Sequence, residues 1–275
     1  MLRSFQTSVS AIDQYQQRLD VIANNIANVG TSGFKTGRTE LADSFSQTLQ
    51  AAGSTGSMQV GSGVQTVAIQ DEFTQGAISR TGVKTDLAVS GDGFFVVRNA
   101  AGESFATRAG EFRVDGEGYL VNSQGLRVQG FSDAGLGTRG DIVIDAVGAP
   151  ATAASGATIA NFAIDNAGKV HVRLSDGTEF VRGQVLLQRF RDPQALSKEG
   201  DNLLSGFAAA GALAQTEASG TNGLGRIESG ALEMSNVDLA DEMSSLITTQ
   251  RAFQANARIL TTSDEILQEL VNLKR

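Results

Sequence analysis

The sequence predicts an α+β protein in which a coiled-coil stem, made from the two ends of the chain, carries a mainly antiparallel β domain. Apolar residues at alternating spacings of three and four occupy residues 2–29 and again 236–275, and neither stretch contains glycine or proline. Between them, short apolar runs separated by Gly, Asp and Asn indicate hairpins. A narrow apolar seam needs a helical partner, and each end of the chain is the first candidate partner of the other.

The order of these patterns predicts four segments. We expect an N-terminal stem helix at residues 1–30, an irregular connector at 31–75, a β domain at 76–235 and a C-terminal stem helix at 236–275. The β domain should include a short Ala/Gly-rich insertion near residues 133–158. The stem is therefore discontinuous in sequence, and its two helices should run antiparallel.

The seam residues define the predicted surface for stem formation and assembly. They are Phe5, Val9, Ile12, Gln16, Leu19, Ala23 and Ile26 in the first helix, and Leu239, Met243, Leu246, Gln250, Phe253, Ala257, Leu260, Asp264, Leu267 and Val271 in the last. Counting outward from residues 30 and 236 places Gln16 opposite Gln250. We expect these two amides to pair, because a buried amide without a partner costs stability. The alternative is that each glutamine faces water or a neighbouring subunit.

On the same register the last helix extends beyond the first, because Leu2 falls opposite residue 264. Residues 265–275 then lack a partner within their own chain. This overhang is still apolar and contains Ile266, Leu267, Leu270, Val271 and Leu273. We expect the stem of another copy to cover it, and such a contact between two different surfaces propagates into a filament when its rotation does not close.

Composition argues against several classes of function. The formal charge is -8, from 30 acidic and 22 basic residues, so there is no basic footprint for nucleic acid or an anionic membrane. There is no cysteine, and the single histidine, His171, leaves little room for histidine-based catalysis or a zinc site. No cleavable signal peptide and no membrane span are expected, since no window approaches about 18 consecutive apolar residues.

The polar motifs favour structural roles. The Gly-Asp-Gly run at residues 91–93 lies between strand signals, which indicates a turn and not a nucleotide-binding loop. The Asp-Gly-Glu-Gly run at residues 115–118 lacks the ligand spacing of an EF-hand. The acidic pairs at residues 241–242 and 264–265 fall on helix faces, with no pocket predicted around them. We therefore predict no enzyme activity, catalytic residue, cofactor, metal site or small-molecule substrate.

Three stretches resemble the signatures of bacterial flagellar rod and hook axial proteins. The first is residues 24–35, the second is residues 86–95, and the third lies in and just before the last helix. The residues that carry the resemblance are Asn24, Asn25, Asn28, Gly33, Phe34, Lys35, Gly93, Phe94, Phe95, Asn236, Arg251 and Asn256. The stretches follow the family's order and cover both ends and the early β region.

The resemblance implies a structural subunit of the flagellar hook–basal body. Such a subunit polymerises with copies of itself into a tubular filament that transmits motor torque for motility. The resemblance also implies export across the inner membrane by the flagellar type III apparatus without a cleavable signal peptide. The implied partners are neighbouring rod, hook or junction proteins, the export apparatus and an assembly cap.

The position along the flagellar axis has two interpretations. Residues 253–264 and 272–275 resemble hook protein, so a compact hook subunit is our first interpretation. However, only the short region near residues 133–158 is available for the extra β domain that hook proteins carry. The overall length and the stretch at residues 46–60 are closer to the distal rod protein, which is the alternative. A non-flagellar coiled-coil stalk carrying a β binding domain is a more remote alternative.

Overall fold

In a computed structural model the chain consists of two long helices and many antiparallel strands, which confirms the α+β class. The structure describes residues 2–44, 46–53, 56–151, 153–154, 157–212, 217–221 and 223–273, and for residues 2–4, 46–53, 56–60, 270 and 273 it describes the backbone alone. The chain divides into two compact units. The stem unit consists of Met1–Val29, Lys35–Glu72 and Val237–Arg275, and the β unit consists of Gly30–Phe34 and Phe73–Asn236.

Two antiparallel helices form the stem unit's frame. Helix α1 spans Leu2–Ala27, helix α2 spans Leu239–Leu273, and the two pack against each other. Asn25 near the end of α1 donates a hydrogen bond to Glu242 near the start of α2, so the helices run in opposite directions. Asp238 caps α2, because its carboxylate accepts hydrogen bonds from the backbone N–H groups of Ala240 and Asp241 in the first turn of the helix. Supercoiled knobs-into-holes packing of the pair remains a prediction.

The segment expected to be an irregular connector instead contains four strands, so that expectation is wrong. They are β1 (Gly37–Asp43), β2 (Ser46–Gly53), β3 (Gly56–Gly61) and β4 (Val64–Asp71). Strand β1 pairs with β4 and β2 pairs with β3, which makes one long antiparallel ribbon. Strands β1 and β4 pack on α1. The small residues within 51–53 and 56–61, which suggest a loop in the sequence, lie in β2 and β3, where their backbones pair across the ribbon.

The β unit is built from sixteen short strands within the described residues. They are β5 (Ile78–Arg80), β6 (Leu87–Ser90), β7 (Phe94–Arg98), β8 (Ser104–Thr107), β9 (Arg113–Val114), β10 (Leu120–Val121), β11 (Arg127–Phe131), β12 (Arg139–Asp141), β13 (Ile159–Ile164), β14 (Lys169–Leu174), β15 (Glu179–Gln188), β16 (Ser197–Gly200), β17 (Leu203–Ser205), β18 (Glu217–Ala218), β19 (Arg226–Ser229) and β20 (Ala231–Glu233), with a 3-10 turn at Pro193–Ala195. The main sheet runs in the order β13-β14-β15-β11-β7-β8-β17-β16, with β9, β10, β12 and β18 attached. Two further pairs, β19 with β6 and β20 with β5, complete the unit.

Strand β7 separates two apolar clusters, because alternate side chains on a strand point to opposite faces. Phe95 and Val97 lie in the main core together with Leu87, Leu120 and other buried strand residues. Phe94 points the other way into a smaller cluster that includes Phe190, Leu196 and Leu204. The adjacent phenylalanines of the family motif thus fill two different cores.

The Ala/Gly-rich region near residues 133–158 contributes to the main core in its described part. Strand β12 pairs with β11, and Ile142 and Ile144, which follow it, are buried with the strands of the main sheet. The residues after Ile144 form turns rather than strands up to Ile159 in the part of this region that the structure describes. Neither helix, over its described residues, is long and apolar enough to cross a lipid bilayer.

Candidate assembly surface

Asn25 joins three elements of the stem unit. Its Nδ2 donates to the carbonyl oxygen of Gly37 at 2.9 Å and to Oε1 of Glu242 at 3.0 Å, and its Oδ1 accepts from the Gly37 N–H at 3.0 Å. The side chain is buried. One side-chain amide therefore satisfies the backbone N–H and carbonyl groups of Gly37, the first residue of the ribbon, and also links the end of α1 to the start of α2. This contact gives the motif asparagine a physical role that its place in the sequence could not reveal.

The packed face of α1 is displaced by one residue from the predicted seam. Its most buried residues are Ser8, Ala11, Ile22 and Asn25, and Tyr15 and Arg18 are half-buried between them at the same alternating spacing. One residue corresponds to about 100° around a helix. The packed face therefore has the predicted spacing, and its residues each come one position before a residue of the predicted seam.

The ribbon approaches α1 closely at Gly63. A Cβ atom added there would collide with Ser10, whereas one added at Gly37 would make an ordinary contact with Val21 at 3.6 Å. Thr66 of β4 donates hydrogen bonds to Gln14 and, at 3.0 Å, to Gln17. Polar and small side chains thus hold the ribbon on α1, and the apolar seam is left for another surface.

The predicted seam of α1 is consequently exposed or only half-buried. Phe5, Val9, Gln16 and Ala23 are exposed, whereas Ile12, Leu19 and Ile26 are half-buried. In α2 the predicted residues differ in exposure. Leu246, Phe253, Ala257, Leu260 and Leu267 are half-buried, while Leu239, Met243, Gln250, Asp264 and Val271 are exposed. The most buried position of the described α2 side chains is Thr249, one residue from Gln250.

Gln16 and Gln250 do not form the expected buried pair. The contact between Asn25 and Glu242, with equal rise along both helices, places Gln16 beside about residue 251, so the two glutamines share a level along the stem. Both side chains are nonetheless exposed, because each lies one residue away from the packed face. Their pairing with water or with a neighbouring subunit, the alternative considered above, remains a prediction.

Sequence reasoning missed an apolar face on the ribbon. Val67 and Ile69 of β4 are 61% and 57% exposed, and the residues between and beside them face α1. The available signal was the pair of β-branched residues Val67 and Ile69, two positions apart as on one face of a strand. On α2, Ile247, Ile259 and Ile266 are also exposed. The stem unit therefore presents exposed apolar side chains on α1, on α2 and on the ribbon.

Two motif glycines of the β unit are required by backbone geometry. Gly33 has φ +69°, and a Cβ there would lie 2.5 Å from the backbone nitrogen of Ala109. Gly93 has φ +133° and lies against the side chains of Leu187 and Leu224. Neither position tolerates a larger residue without movement of the strands. These motif residues serve the fold of the β unit.

The remaining motif residues have mainly structural positions. Phe34 is buried with the Lys198 ammonium 5.3 Å from its ring, and Lys35 is buried in the stem unit. Asn236 donates to Thr74 at 2.7 Å. The amides of Asn28 and Asn256 bond to carbonyl oxygens one turn earlier, on Asn24 and Ala252, and Arg251 is exposed. Their role in contacts between copies, like that of the seam residues, stays a prediction.

Glu242 is the titratable group of the Asn25 junction. Burial raises the pKa of its carboxyl, while the hydrogen bond from Asn25 and the charge of Arg18 act in the opposite direction. A carboxyl with a raised pKa in the folded state disfavours folding when it is ionised. The stem unit should therefore lose this penalty as the pH falls through the raised value toward the ordinary glutamate pKa of about 4.3.

We expect Glu242→Gln to raise the unfolding temperature of the helices slightly at neutral pH, by about 2 °C or less because the group is only half-buried. The difference from the unchanged chain should vanish below about pH 4, where Glu242 is protonated in both the folded and the unfolded state. Helical circular dichroism during heating at several pH values measures this. Glu269→Gln makes the same change at an exposed position far along α2 and is the control. A marked destabilisation by Glu242→Gln at pH 7 would show instead that the ionised group is stabilising.

Three families of known proteins match this chain, each over residues that include part of one of the three stretches described above. The family described as flagella basal body rod protein matches residues 5–35. The flagellar hook protein FlgE/F/G D1 domain matches residues 88–172, and the flagellar basal body rod FlgEFG protein C-terminal family matches residues 228–273. The resemblance read from the sequence is confirmed by these matches.

Several relatives align with the chain from end to end. The flagellar basal-body rod protein FlgG of Bacillus subtilis is 40% identical over 282 residues, and that of Borreliella burgdorferi is 35% identical over 287 residues, each covering 100% of both chains. The flagellar hook protein FlgE of Borreliella burgdorferi is 28% identical over 443 residues, again covering 100% of both chains. The chain therefore belongs to the flagellar rod and hook family of axial structural proteins.

Proposed function

We propose that this chain is the distal rod subunit of the bacterial flagellar basal body. The observation that carries the proposal is the end-to-end similarity to proteins named as rod proteins, over alignments of 282 and 287 residues for a chain of 275. The hook relative needs an alignment of 443 residues, so it carries a long segment that this chain lacks. The distal rod is therefore better supported than the compact hook subunit of our first interpretation.

The exposed apolar side chains of the stem unit support self-assembly as the mechanism. The seam of α1, the outer side of α2 and the ribbon's Val67 and Ile69 are covered when copies pack stem against stem. Because these are different surfaces on each copy, the contacts are heterologous and extend the assembly along its axis. A continuous wall of packed helices transmits torque, since closely packed side chains deform little.

The outer half of the ribbon supports the rod interpretation over the hook interpretation. Residues 46–60, which we associate with the extra stretch of the distal rod, fall almost entirely in β2 and β3, and their side chains lie outside the described residues. We propose that this hairpin extends the ribbon as an additional element between copies. Neighbouring rod or hook proteins, the export apparatus and an assembly cap are the proposed partners, and the proposed route is export across the inner membrane without a cleavable signal peptide.

Complementation separates the rod from the hook. We expect the chain, expressed in a flagellated bacterium that lacks its rod protein FlgG, to restore basal bodies with complete rods. In a strain lacking the hook protein FlgE it should restore no hooks. Electron microscopy of isolated basal bodies gives the readout, with each strain's own gene as the positive control. Restoration of hooks, or a soluble closed oligomer with no axial structure in either strain, would contradict the proposal.

A further inference from the structure

We propose that α2 of one copy packs against α1 of the next copy through two matched charge pairs on the outer sides of the stem helices. The pairs are Arg251 with Asp20 and Arg258 with Asp13. All four side chains are exposed. This inference rests on the self-assembly proposed above and assigns one specific contact to it. Because the arginines are on one helix and the aspartates on another, the contact joins two different surfaces and can repeat from copy to copy.

The four charges point away from the partner helix of their own chain. Asp13 and Asp20 each lie two residues from members of the packed face of α1, and two residues correspond to about 200° around a helix. Arg251 likewise lies two residues after Thr249, the most buried of the described α2 side chains. Arg258 follows Arg251 by two helical turns and is on the same outer side. A neighbouring copy can therefore reach all four.

These charges have no partner of opposite sign on their own helix. Surface charges on a helix usually interact with residues three or four positions away. No charged residue lies three or four positions from Asp13, Asp20, Arg251 or Arg258. The ion pairs formed between described residues do not include any of the four. Two acids on α1 and two bases on α2 are thus left for a contact outside the chain.

The spacing of the two sets is the same. Seven residues separate Asp13 from Asp20, and seven separate Arg251 from Arg258, which is about 10.5 Å along a helix. Copies in a helical filament are related by rotation about its axis and translation along it, so all stems keep one polarity. Since α1 and α2 are antiparallel within a chain, α1 of one copy also runs antiparallel to α2 of its neighbour. In that direction both pairs form at one register, because the residue numbers of each pair add to 271.

One displacement of the neighbouring copy satisfies both pairs. The contact between Asn25 and Glu242 places Arg251 at the level of residue 16 of its own chain. Moving Arg251 to the level of Asp20 therefore needs a shift of four residues, about 6 Å along the stem. At this register the acidic residues 264 and 265 fall beside the neutral residues 7 and 6, so like charges do not meet there. Opposite charges at equal spacing select a second copy of this chain as the occupant.

Charge reversal on one helix tests the pairing. We expect Asp13→Lys with Asp20→Lys, and separately Arg251→Glu with Arg258→Glu, to raise the concentration needed for assembly on the order of tenfold, because two attractions become repulsions. Added salt should reduce this difference from the unchanged chain, since it screens the repulsion. Lysine and glutamate favour helix, so the stem should remain folded. Sedimentation across protein and salt concentrations measures assembly, and helical circular dichroism during heating checks the fold.

Rescue separates a specific pairing from a general effect of charge. The chain that carries all four reversals keeps its net charge of -8 and should assemble at the same concentration as the unchanged chain. Arg113→Glu with Arg173→Glu, at exposed positions of the β unit, makes the same change in net charge as the α2 variant and should assemble normally. Normal assembly of either reversed variant, or no rescue by the four reversals together in a folded chain, would overturn the contact.

Cross-linking tests the direction of the two helices. The chain has no cysteine, so copies with Asp13→Cys can be mixed with copies with Arg258→Cys and treated, after assembly, with a short thiol-reactive cross-linker. This mixture should give a product that joins the two kinds of copy. Asp13→Cys mixed with Arg251→Cys corresponds to the opposite direction and should give far less. An equal or larger yield from the second mixture would overturn the proposed register, whereas failure of the unchanged chain to assemble would overturn the proposed function instead.

Discussion

Removal of residues 265–275 should abolish polymerisation and leave a soluble chain with a folded β unit. The contact between Asn25 and Glu242 sets the register of the stem, and equal rise places Leu2 beside about residue 265. The last part of α2 therefore runs past the end of α1. Ile266 and Val271 are 47% and 66% exposed there, whereas Leu267 is half-buried. The side chains of Leu270 and Leu273 and residues 274–275 lie outside the described residues.

The expected effect is large because the overhang is apolar and has no α1 beside it. Burying each such side chain against another copy contributes about 1.5–3 kcal/mol before ordering costs are subtracted. A net loss of about 3 kcal/mol from several of them weakens every contact along the filament roughly a hundredfold. Sedimentation and electron microscopy under assembly conditions measure the result.

Point variants control for the loss of chain length. Ile266→Asn with Val271→Asn should reproduce the assembly defect in a full-length chain. Gln268→Asn with Asn272→Gln changes exposed polar positions on the same turns and should assemble normally. Filaments of ordinary length from the truncated chain would refute the overhang as the assembly contact, whatever the family similarity implies.

Asn25→Ala should destabilise the stem unit by about 3 kcal/mol, because it leaves the N–H and carbonyl of Gly37 and the carboxylate of Glu242 without their amide partner. Heating followed by helical circular dichroism should show the transition of the helices lowered by roughly 6–12 °C. The effect is larger than for an average substitution, since one buried side chain serves three elements.

Two variants make the Asn25 experiment specific. Asn24→Ala changes the adjacent, exposed motif asparagine, whose side chain bonds only to Asn28 in the contacts described, and should cost less than about 0.5 kcal/mol. Asn25→Asp keeps the shape but places a carboxylate against Glu242, so its penalty should shrink as the pH falls and the acids are protonated. Equal losses for Asn24→Ala and Asn25→Ala would contradict the junction.

The sequence was informative wherever structure repeats over short distances. Periodicity located α1 and α2, and turn residues located hairpins such as β13–β14, because both signals depend on neighbours a few residues apart. The same signals failed for residues 37–71, where small residues indicated a loop. The pairing of β1 with β4 and their packing on α1 involve partners far apart in sequence.

The seam shows where periodicity stops being sufficient. It predicted the spacing along α1 correctly, but Ser8 and Ala11 pack inward while Phe5 and Val9 remain exposed. Apolar character marks a surface that will be buried, and it does not state whether the covering surface belongs to the same chain or to another copy.

The sequence by itself determined the class, the two terminal helices, the family and the list of motif residues. Only the tertiary structure decided which face of each helix packs within the chain, that Asn25 joins α1, α2 and the ribbon, and that Arg108 and Glu233 meet across 125 residues of sequence. The physical reason is that backbone conformation follows local side-chain patterns, whereas burial and hydrogen-bond partners depend on which distant segments come into contact.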